Sequence, residues 1–324
     1  MKIKQSFLIS VLTVGLVGVL SGSALANTIF APERGETIFV VGQDLENINA
    51  YTDEFKTPGG FMFYTSIQVL DGLYEPAEDR GAGIQHANAV IEKYPNTVVQ
   101  LGLYMVGALE DTVRGVYDAN LDKLAGWIKE TKRPVYLRIG YEFDLPDNGY
   151  EPKAYIAAFQ YVVDYLREKG VTNANYVWHS YGYVNPGLLP TMWYPGADYV
   201  DWVGVSFFNA FNKWNINYLM RFAASQQRPF MLAEATPYRI GIKDGKESWK
   251  RWFKHLFAFI EENEVRMDSY ISADWNKLSM FRGDDWGDSR VQENREVKRR
   301  WKKELRKDRY LLSSEKLFEK INYE

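Results

Sequence analysis

The sequence contains no cysteine, which excludes disulfides, zinc–thiolate sites, iron–sulfur clusters and cysteine nucleophiles together. Its three histidines, His86, His179 and His255, are too few for a histidine-rich metal centre. The His-Glu-x-x-His, Gly-x-Ser-x-Gly and P-loop motifs are also missing, so a zinc protease, an α/β-hydrolase and a nucleotide enzyme lose their main support. We therefore expect a protein that works without a metal or a cofactor.

A strong excess of charge of one sign is missing as well. Lys and Arg number 39 against 42 Asp and Glu, and the formal net charge is −3. A charge this mild argues against nucleic acid as the partner. The basic stretch at residues 298–303 is flanked by glutamates, and we interpret it as the solvated face of a closing helix.

The N-terminus has the pattern of a secretory signal peptide. Its parts are Lys2 and Lys4, an apolar run from Phe7 to Leu20, and the small-residue site Ala24-Leu25-Ala26. The run is shorter than the ~20 residues that a membrane span needs. We predict a signal peptide over residues 1–26, cleaved after Ala26, which leaves a secreted or periplasmic chain without membrane attachment. An N-terminal membrane anchor is the alternative, whereas a lipoprotein anchor is excluded because it requires cysteine.

The remaining composition is that of a globular protein, with 46% hydrophobic and 25% charged residues. Aromatic residues are abundant, since the chain has 10 Trp, 22 Tyr and 18 Phe. Aromatic rings stack on sugars, but they also fill ordinary cores. This abundance therefore raises the expectation of a carbohydrate-binding cleft without establishing it.

Short β-rich runs alternate with helical patterns along the chain. The runs lie at residues 37–41, 60–65, 98–105, 134–140, 175–178, 199–205, 229–233 and 269–273. Such alternation predicts βαβ units and a parallel sheet. An open doubly wound sheet is less well supported, because its first βα turn is usually rich in glycine and this one reads Gly42-Gln43-Asp44. We predict an α/β fold in which residues 27–324 form a single (β/α)₈ TIM barrel.

The ends of the barrel strands are where catalytic residues belong, because the active sites of such barrels lie on the carboxyl-terminal face. The fourth predicted strand is followed by Glu142, and the seventh by Glu234. Two converging carboxyl groups, one protonated and one ionised, are the minimum for glycoside hydrolysis. Like charges held close together push their pKa values apart, which would divide the two roles.

Several segments around these glutamates resemble glycoside hydrolase family 26, which comprises the β-mannanases and their relatives in clan A. They are Gly115 to Leu121, Ala125 to Lys129, Arg133 to Arg138, Tyr141-Glu142 and Trp193 to Gly204. The resemblance spans roughly residues 35–290 and implies a barrel enzyme that retains anomeric configuration. It also implies that Glu142 is the acid/base and that Glu234 is the nucleophile.

Three positions differ from the family pattern. Tyr141 stands where a histidine usually precedes the acid/base, and Phe208 stands where the sixth strand usually supplies a tyrosine to the nucleophile. The residues after Glu234 are Ala235-Thr236-Pro237 instead of an aromatic residue and glycine. We therefore expect the hydroxyl that contacts Glu234 to come from Tyr183, Tyr104 or another residue.

Further strand-end residues are candidates for substrate binding. Arg138 has the same strand parity as Glu142, so it should point into the barrel and pair with Glu234 or Asp44. His179 would bind substrate or orient Glu142. For each of these strand-end candidate residues, a purely structural role is the alternative. The other candidates are Gln43, Asp44, Tyr64, Tyr104, Tyr141, Asp144, Phe208, Asn209, Trp275 and Trp286.

Three functions remain open from the sequence, each with a polysaccharide or oligosaccharide as the partner. The first is a secreted retaining endo-hydrolase, with β-mannan or a related β-glycan as the first guess. The second is a hydrolase of a charged polysaccharide such as a sulfated one, because Arg138, Arg282 and Arg290 lie near strand ends. The third is a barrel that binds glycans without cleaving them. The sequence does not indicate an oligomeric state.

Overall fold

A computed structural model describes residues 28–182, 188–209 and 214–323 of the chain. The predicted signal peptide, residues 1–26, lies outside this part. Eight parallel strands form a barrel: β1 (Thr37–Gly42), β2 (Gly60–Ser66), β3 (Val98–Tyr104), β4 (Val135–Ile139), β5 (Ala174–Ser180), β6 (Trp202–Phe207), β7 (Phe230–Ala235) and β8 (Val265–Ile271). Each strand pairs with the next, and β1 pairs with both β2 and β8, so the sheet is closed. The predicted (β/α)₈ barrel is therefore confirmed.

Helices connect the strands on the outside of the barrel. They are α1 (Leu45–Thr52), α2 (Ala87–Lys93), α3 (Leu109–Val113), α4 (Asp118–Thr131), α5 (Pro152–Glu168), α6 (Trp214–Ser225), α7 (Lys246–Ser248), α8 (Lys254–Glu262), α9 (Arg295–Glu304) and α10 (Leu317–Lys320). One π-turn, Trp249–Phe253, joins α7 to α8. In the described ranges, no helix is long and apolar enough to span a membrane.

Helices α5 and α9 each begin with a side-chain cap. Helix α5 begins with Pro152, whose missing N–H costs nothing in the first turn, and its cap Glu151 accepts a hydrogen bond from the Ala154 N–H. Helix α9 is capped by Asn294, whose side chain accepts hydrogen bonds from the N–H groups of Glu296 and Val297. The basic residues of α9 pair with Glu296 or lie partly exposed, as expected for a solvated face.

The alternation of side chains along the strands separates two apolar layers. Residues pointing outward, such as Val41, Leu137 and Leu232, pack against the helices. Residues pointing inward, such as Val40, Tyr136 and Met231, fill the barrel. Each strand is therefore buried on both faces, which is typical of an all-parallel sheet.

The N-terminal segment closes the bottom of the barrel. The Phe30 N–H donates to Asn175 Oδ1 at 2.7 Å, and the Tyr136 hydroxyl donates to the Phe30 carbonyl at 2.8 Å. A two-residue strand, β9 (Tyr310–Leu311), extends the sheet beside the first residues of β1. The bottom is thus packed with hydrogen-bonded protein, and the open end is the one where the strands finish.

Candidate active site

The chain turns sharply where β4 ends, and this turn places Glu142. Gly140 and Glu142 both have a φ of 54°, a left-handed conformation that costs a non-glycine residue about 1–2 kcal/mol. Gly140 has a second reason to be glycine, because a Cβ there would lie 2.9 Å from the ring of Tyr155. The Asn148 side chain donates to the Glu142 carbonyl at 2.9 Å and holds the turn.

A bulge in β7 aims Glu234 into the barrel. Leu232 pairs with Val205 of β6, and the next pair is Glu234 with Ser206, so Ala233 is an extra residue. Beta-bulges re-aim side chains and are common beside active sites. Because of this one, Ala233 packs in the barrel interior and the following residue, Glu234, also points inward.

The two glutamates meet at the mouth of the barrel, where each is almost fully buried. One oxygen of Glu142 and one oxygen of Glu234 lie within 4.8 Å of each other, and a ring nitrogen of His179 lies within the same distance of both. Carboxyl groups are about 5–5.5 Å apart in retaining glycosidases and about 6.5–9.5 Å apart in inverting ones. The observed spacing therefore fits the retaining geometry.

The same three side chains are also close enough to surround a metal ion. However, the Arg138 guanidinium lies among them, bonded to the Glu234 carboxylate and 3.3 Å from His179 Nδ1. The other ring nitrogen of His179 is 3.0 Å from the Ser206 hydroxyl. A cation placed here would face a permanent positive charge and would displace existing hydrogen bonds, so we interpret the cluster as an acid–base site.

Two donors fix the Glu234 carboxylate. Its Oε1 accepts a hydrogen bond from the Tyr64 hydroxyl at 2.7 Å and an ion-paired hydrogen bond from Arg138 Nη1. Burial, and then the negative charge of Glu234, raise the pKa of Tyr64 well above its usual value, so the phenol stays protonated as a donor. Tyr64 thus supplies the hydroxyl that the sequence suggested would come from Tyr183, Tyr104 or elsewhere.

Arg138 is completely buried between two aromatic rings. Its guanidinium carbon lies 4.8 Å from the ring centre of Tyr64 and 5.2 Å from that of Tyr141. Burial would lower the pKa of Arg138, but Tyr64 and Glu234 beside it raise that pKa overall, so the group stays charged. Glycine at position 102 makes room, since a Cβ there would lie 2.7 Å from Tyr64 and 3.0 Å from Arg138 Nη2.

Glu142 has a different environment. Its Oε1 accepts a hydrogen bond from the Ser206 hydroxyl at 2.6 Å, and no ion pair to it is found in the described ranges. Burial, and then repulsion from Glu234, raise the pKa of Glu142 well above its usual value, although Ser206 and Arg138 act in the opposite direction. This direction favours the protonated form of Glu142, which is the form that an acid catalyst needs.

Of the other predicted residues, Gln43, Asp44 and Asp144 form hydrogen bonds to neighbouring protein groups. Gln43 donates to the Ala82 carbonyl at 3.1 Å, and Asp44 caps α1 by accepting from the Asn47 N–H at 3.0 Å. Asp144 is buried and accepts bonds from the Ser180 hydroxyl and the Tyr181 N–H. These carboxyl and amide groups bind protein neighbours, and His179 likewise lies wholly inside the hydrogen-bonded network.

Aromatic residues from three strand ends form one side of the mouth. The Trp286 ring packs against Phe208, Tyr238 and Trp275 at centre distances of 5.4, 4.6 and 4.8 Å. Trp275 is only 2% exposed, and its N–H bonds to the Thr236 and Ser289 hydroxyls. The half-buried Trp286 therefore offers more ring surface than Trp275.

On the opposite side of the mouth, Tyr104 is 38% exposed and its ring lies 6.3 Å from that of Tyr141. Tyr141 also stacks on His179 at 6.4 Å. Asn209 is exposed after β6. Tyr183 lies outside the described residues. Ser206 is the residue that sequence reasoning missed, because a single serine in an apolar strand carries no signal of its own.

Comparisons with known proteins agree with this geometry. The family model for glycosyl hydrolase family 26 matches residues 96–283. A β-1,3-xylanase of a Vibrio species is 32% identical, and the similarity covers 99% of this chain and 75% of that protein. A β-1,3-xylanase of an Alcaligenes species is 33% identical, covering 99% of this chain and 73% of that protein.

Solved structures with the same fold include two mannanases. A family 26 β-mannanase from Bacteroides ovatus has a TM-score of 0.64 at 15% identity, covering 86% of this chain and 91% of that one. An endo-β-1,4-mannanase from Cellulomonas fimi has a TM-score of 0.60 at 15% identity, covering 90% and 78%. At this identity, the likeness concerns the fold alone.

Proposed function

Because the chain belongs to glycosyl hydrolase family 26 and is thus a retaining endo-glycanase, we propose that it hydrolyses β-1,3-xylan with Glu142 as acid/base and Glu234 as nucleophile. The observation that supports the substrate is the 32–33% identity to two β-1,3-xylanases over 99% of the chain. The roles are supported by the unequal surroundings of the two carboxyl groups, which have oxygens within 4.8 Å of each other.

In the first step, the glycosidic bond breaks and the sugar is transferred to the enzyme. Tyr64 and Arg138 occupy Oε1 of Glu234, which leaves Oε2 to attack the anomeric carbon. Glu142 gives its proton to the departing glycosidic oxygen as the bond to the anomeric carbon breaks. An ionised Glu234 beside Arg138 and a protonated Glu142 beside Ser206 are the states that this step requires.

In the second step, water releases the sugar from Glu234. Esterification removes the negative charge of Glu234, and with it the repulsion that raises the pKa of Glu142. Glu142, now ionised, can accept a proton from water as the oxygen attacks the anomeric carbon. The bond to Glu234 then breaks, and Arg138 and Tyr64 stabilise the returning carboxylate.

The hypothesis of a charged substrate gains little from the arginines that motivated it. Arg138 is committed to Glu234, and Arg290 pairs with Asp274 and Asp288 at 3.1 and 2.8 Å. Of the three, only Arg282 is exposed. A single exposed arginine is a weak basis for recognising a polyanion, so we favour a neutral glycan.

A reducing-end assay on a polysaccharide panel tests the proposal. The panel contains β-1,3-xylan, β-1,4-xylan, β-1,4-mannan, β-1,3-glucan and a sulfated glycan, with the Glu234→Ala variant as the blank. We expect activity on β-1,3-xylan that the variant lacks. Activity on β-mannan without activity on β-1,3-xylan would refute the substrate and support the alternative.

We also propose that the protein is exported, on the evidence of the N-terminal sequence pattern. Expression of the full chain in a bacterial host should yield a product outside the cytoplasm whose N-terminal residue is Asn27. A cytoplasmic product that still begins at Met1 would overturn this proposal.

A further inference from the structure

One chain of hydrogen bonds links the two catalytic glutamates through the barrel. From Glu234, it runs through Arg138 Nη1, His179 Nδ1 and Nε2, and the Ser206 hydroxyl, and it ends at Glu142 Oε1. Arg138, His179 and Ser206 are each at most 5% exposed. Because these three side chains are buried away from water, each of their donors in this series of hydrogen bonds needs a protein acceptor, and the positions of the hydrogen atoms can be worked out one by one.

The direction of the chain follows from its first member. A guanidinium group has only donors, so His179 Nδ1 must accept from Arg138. The hydrogen of the neutral imidazole is therefore on Nε2, which donates to the Ser206 oxygen at 3.0 Å. Burial, and then the charge of Arg138, lower the pKa of His179 well below its usual value, which agrees with a neutral ring.

Ser206 passes this direction on to the acid/base. Its oxygen already accepts from His179, and Glu142 Oε1, at 2.6 Å, is the acceptor that the described residues offer to its single hydroxyl hydrogen. If Glu142 Oε1 carried a proton, that proton and the Ser206 hydrogen would compete for one position. The second oxygen of Glu142 is free of this conflict.

We propose that His179 and Ser206 are positioning residues that confine the catalytic proton of Glu142 to Oε2, the oxygen that must face the glycosidic bond. This inference rests on the proposed role of Glu142 as acid/base. Arg138 sets the orientation of His179, His179 sets that of Ser206, and Ser206 reserves Oε1 as an acceptor. One arginine nitrogen thus orders both the nucleophile and the acid.

Other charged or titratable groups also face Glu142, and the Ser206 and His179 variants described below leave all of them unsubstituted. They are Glu234, Arg138, Tyr141, Asp144, Tyr150 and Tyr181. None of them donates to Glu142 Oε1 in the described part of the chain. Removal of the Ser206 hydroxyl therefore takes away the described donor to Glu142 Oε1 and leaves these groups unsubstituted.

The central variant is Ser206→Ala, assayed on β-1,3-xylan and on dinitrophenyl β-1,3-xylobioside. The dinitrophenyl group leaves without protonation, so only the polysaccharide needs the acid in the first step. We expect kcat/KM on xylan to fall by ~10-fold, with a much smaller loss on the aryl glycoside. The alkaline limb of the kcat/KM profile should also move up by about one pH unit, because Ser206 stabilises the charged form of Glu142.

Two variants of His179 give an independent test. The amide of His179→Gln can accept from Arg138 with its oxygen and donate to Ser206 with its nitrogen, so it should preserve the direction of the chain and most of the activity. His179→Leu can do neither and should behave like Ser206→Ala. If Ser206→Ala does not fold, the comparison of Gln with Leu remains.

Ser248→Ala is the matched control, because Ser248 is a buried serine whose hydroxyl lacks a hydrogen bond in the described structure. The proposal is overturned if Ser206→Ala loses equal activity on both substrates with an unchanged pH profile, or if His179→Gln is as impaired as His179→Leu. Glu142→Ala separates the two levels of inference. If this variant keeps full activity on xylan, the assignment of Glu142 as acid/base has failed, and not only the positioning roles of His179 and Ser206.

Discussion

Two buried carboxyl groups of this protein, Glu142 at the mouth and Asp268 in the barrel wall, show what burial does and does not create. Burial is the first cause that raises the pKa of each, and Asp268 reaches about 8. Glu142 accepts a hydrogen bond from the Ser206 hydroxyl, and it lies beside a second carboxyl group, that of Glu234. Asp268 points outward from β8, and neither of its oxygens has a hydrogen bond in the described ranges.

The difference lies in what surrounds the burial. Asp268 pairs across the sheet with Phe39 and Leu232, whose side chains belong to the apolar layer beneath the helices. A proton on Asp268 therefore has no substrate to reach. A raised pKa points to catalysis only when donors fix the group and the group reaches the surface, and Glu142 is 8% exposed whereas Asp268 is wholly buried.

The largest effect is expected at Glu234, the proposed nucleophile. Glu234→Ala should lower kcat on the polysaccharide by ~10⁴-fold, because no carboxylate remains to form the glycosyl-enzyme. Added azide should restore turnover and give the glycosyl azide of inverted configuration. Substantial residual hydrolysis without azide would show that another group attacks the sugar.

Loss of one hydrogen-bond donor to Glu234 should have a smaller effect. Tyr64→Phe removes the 2.7 Å bond to Glu234, and hydrogen bonds to charged groups contribute about 1.5–3 kcal/mol, so kcat/KM should fall by ~10–100-fold. Tyr136→Phe is the control, since that hydroxyl donates to Phe30 at the closed end of the barrel. Equal activity losses in the two variants would contradict the role of Tyr64.

The packing beneath the site gives a third test. Gly102→Ala would place a Cβ 2.7 Å from Tyr64 and 3.0 Å from Arg138, so both donors should shift relative to Glu234 without being lost, and kcat/KM should fall by ~10-fold. Gly126→Ala, in the open on α4, should keep full activity and gain ~0.5–1 kcal/mol in the free energy of unfolding. Full activity in Gly102→Ala would mean that the donors are not sterically fixed.

Substitution of Asp268, in the barrel wall, is expected to have the smallest effect on activity but a measurable effect on the free energy of unfolding. Asp268 has a pKa of about 8 when folded, against a usual value of 3.8. The folded state therefore binds more protons between these values, and stability falls as the pH rises from about 4 to about 8. Asp268→Asn removes this loss.

Denaturant unfolding at pH 4, 7 and 9 measures the gain in stability from Asp268→Asn. The gain should be least at pH 4, should grow with pH, and should level off above about pH 8, while kcat/KM stays unchanged. A gain that is independent of pH would mean that ionisation of Asp268 does not limit stability.

The barrel and its two glutamates were predictable because both are written in local sequence. Apolar β-runs alternate with helical patterns, and Glu142 and Glu234 lie within two residues of the ends of two of those runs. In the structure, β7 extends through Glu234. Strand parity, and the need of a buried arginine for a partner, predicted that Arg138 pairs with Glu234 or Asp44, and the structure shows Glu234 as the partner.

The remaining details depend on contacts between distant strands. The bulge at Ala233 has no sequence marker, and it determines where Glu234 points. Tyr64 was predicted to line the pocket, but its bond to Glu234 spans 170 residues. Ser206 matters only because β4 and β5 bring Glu142 and His179 beside it.

The most direct test of the central claim is to trap the glycosyl-enzyme. The protein is incubated with a fluorinated β-1,3-xylobiosyl fluoride, which forms the covalent intermediate but releases it slowly, and the labelled peptide is sequenced by mass spectrometry. We predict one fluorinated xylobiosyl group per protein chain, attached to Glu234. A label on Glu142 or on another residue, or products of inverted configuration without any label, would contradict it.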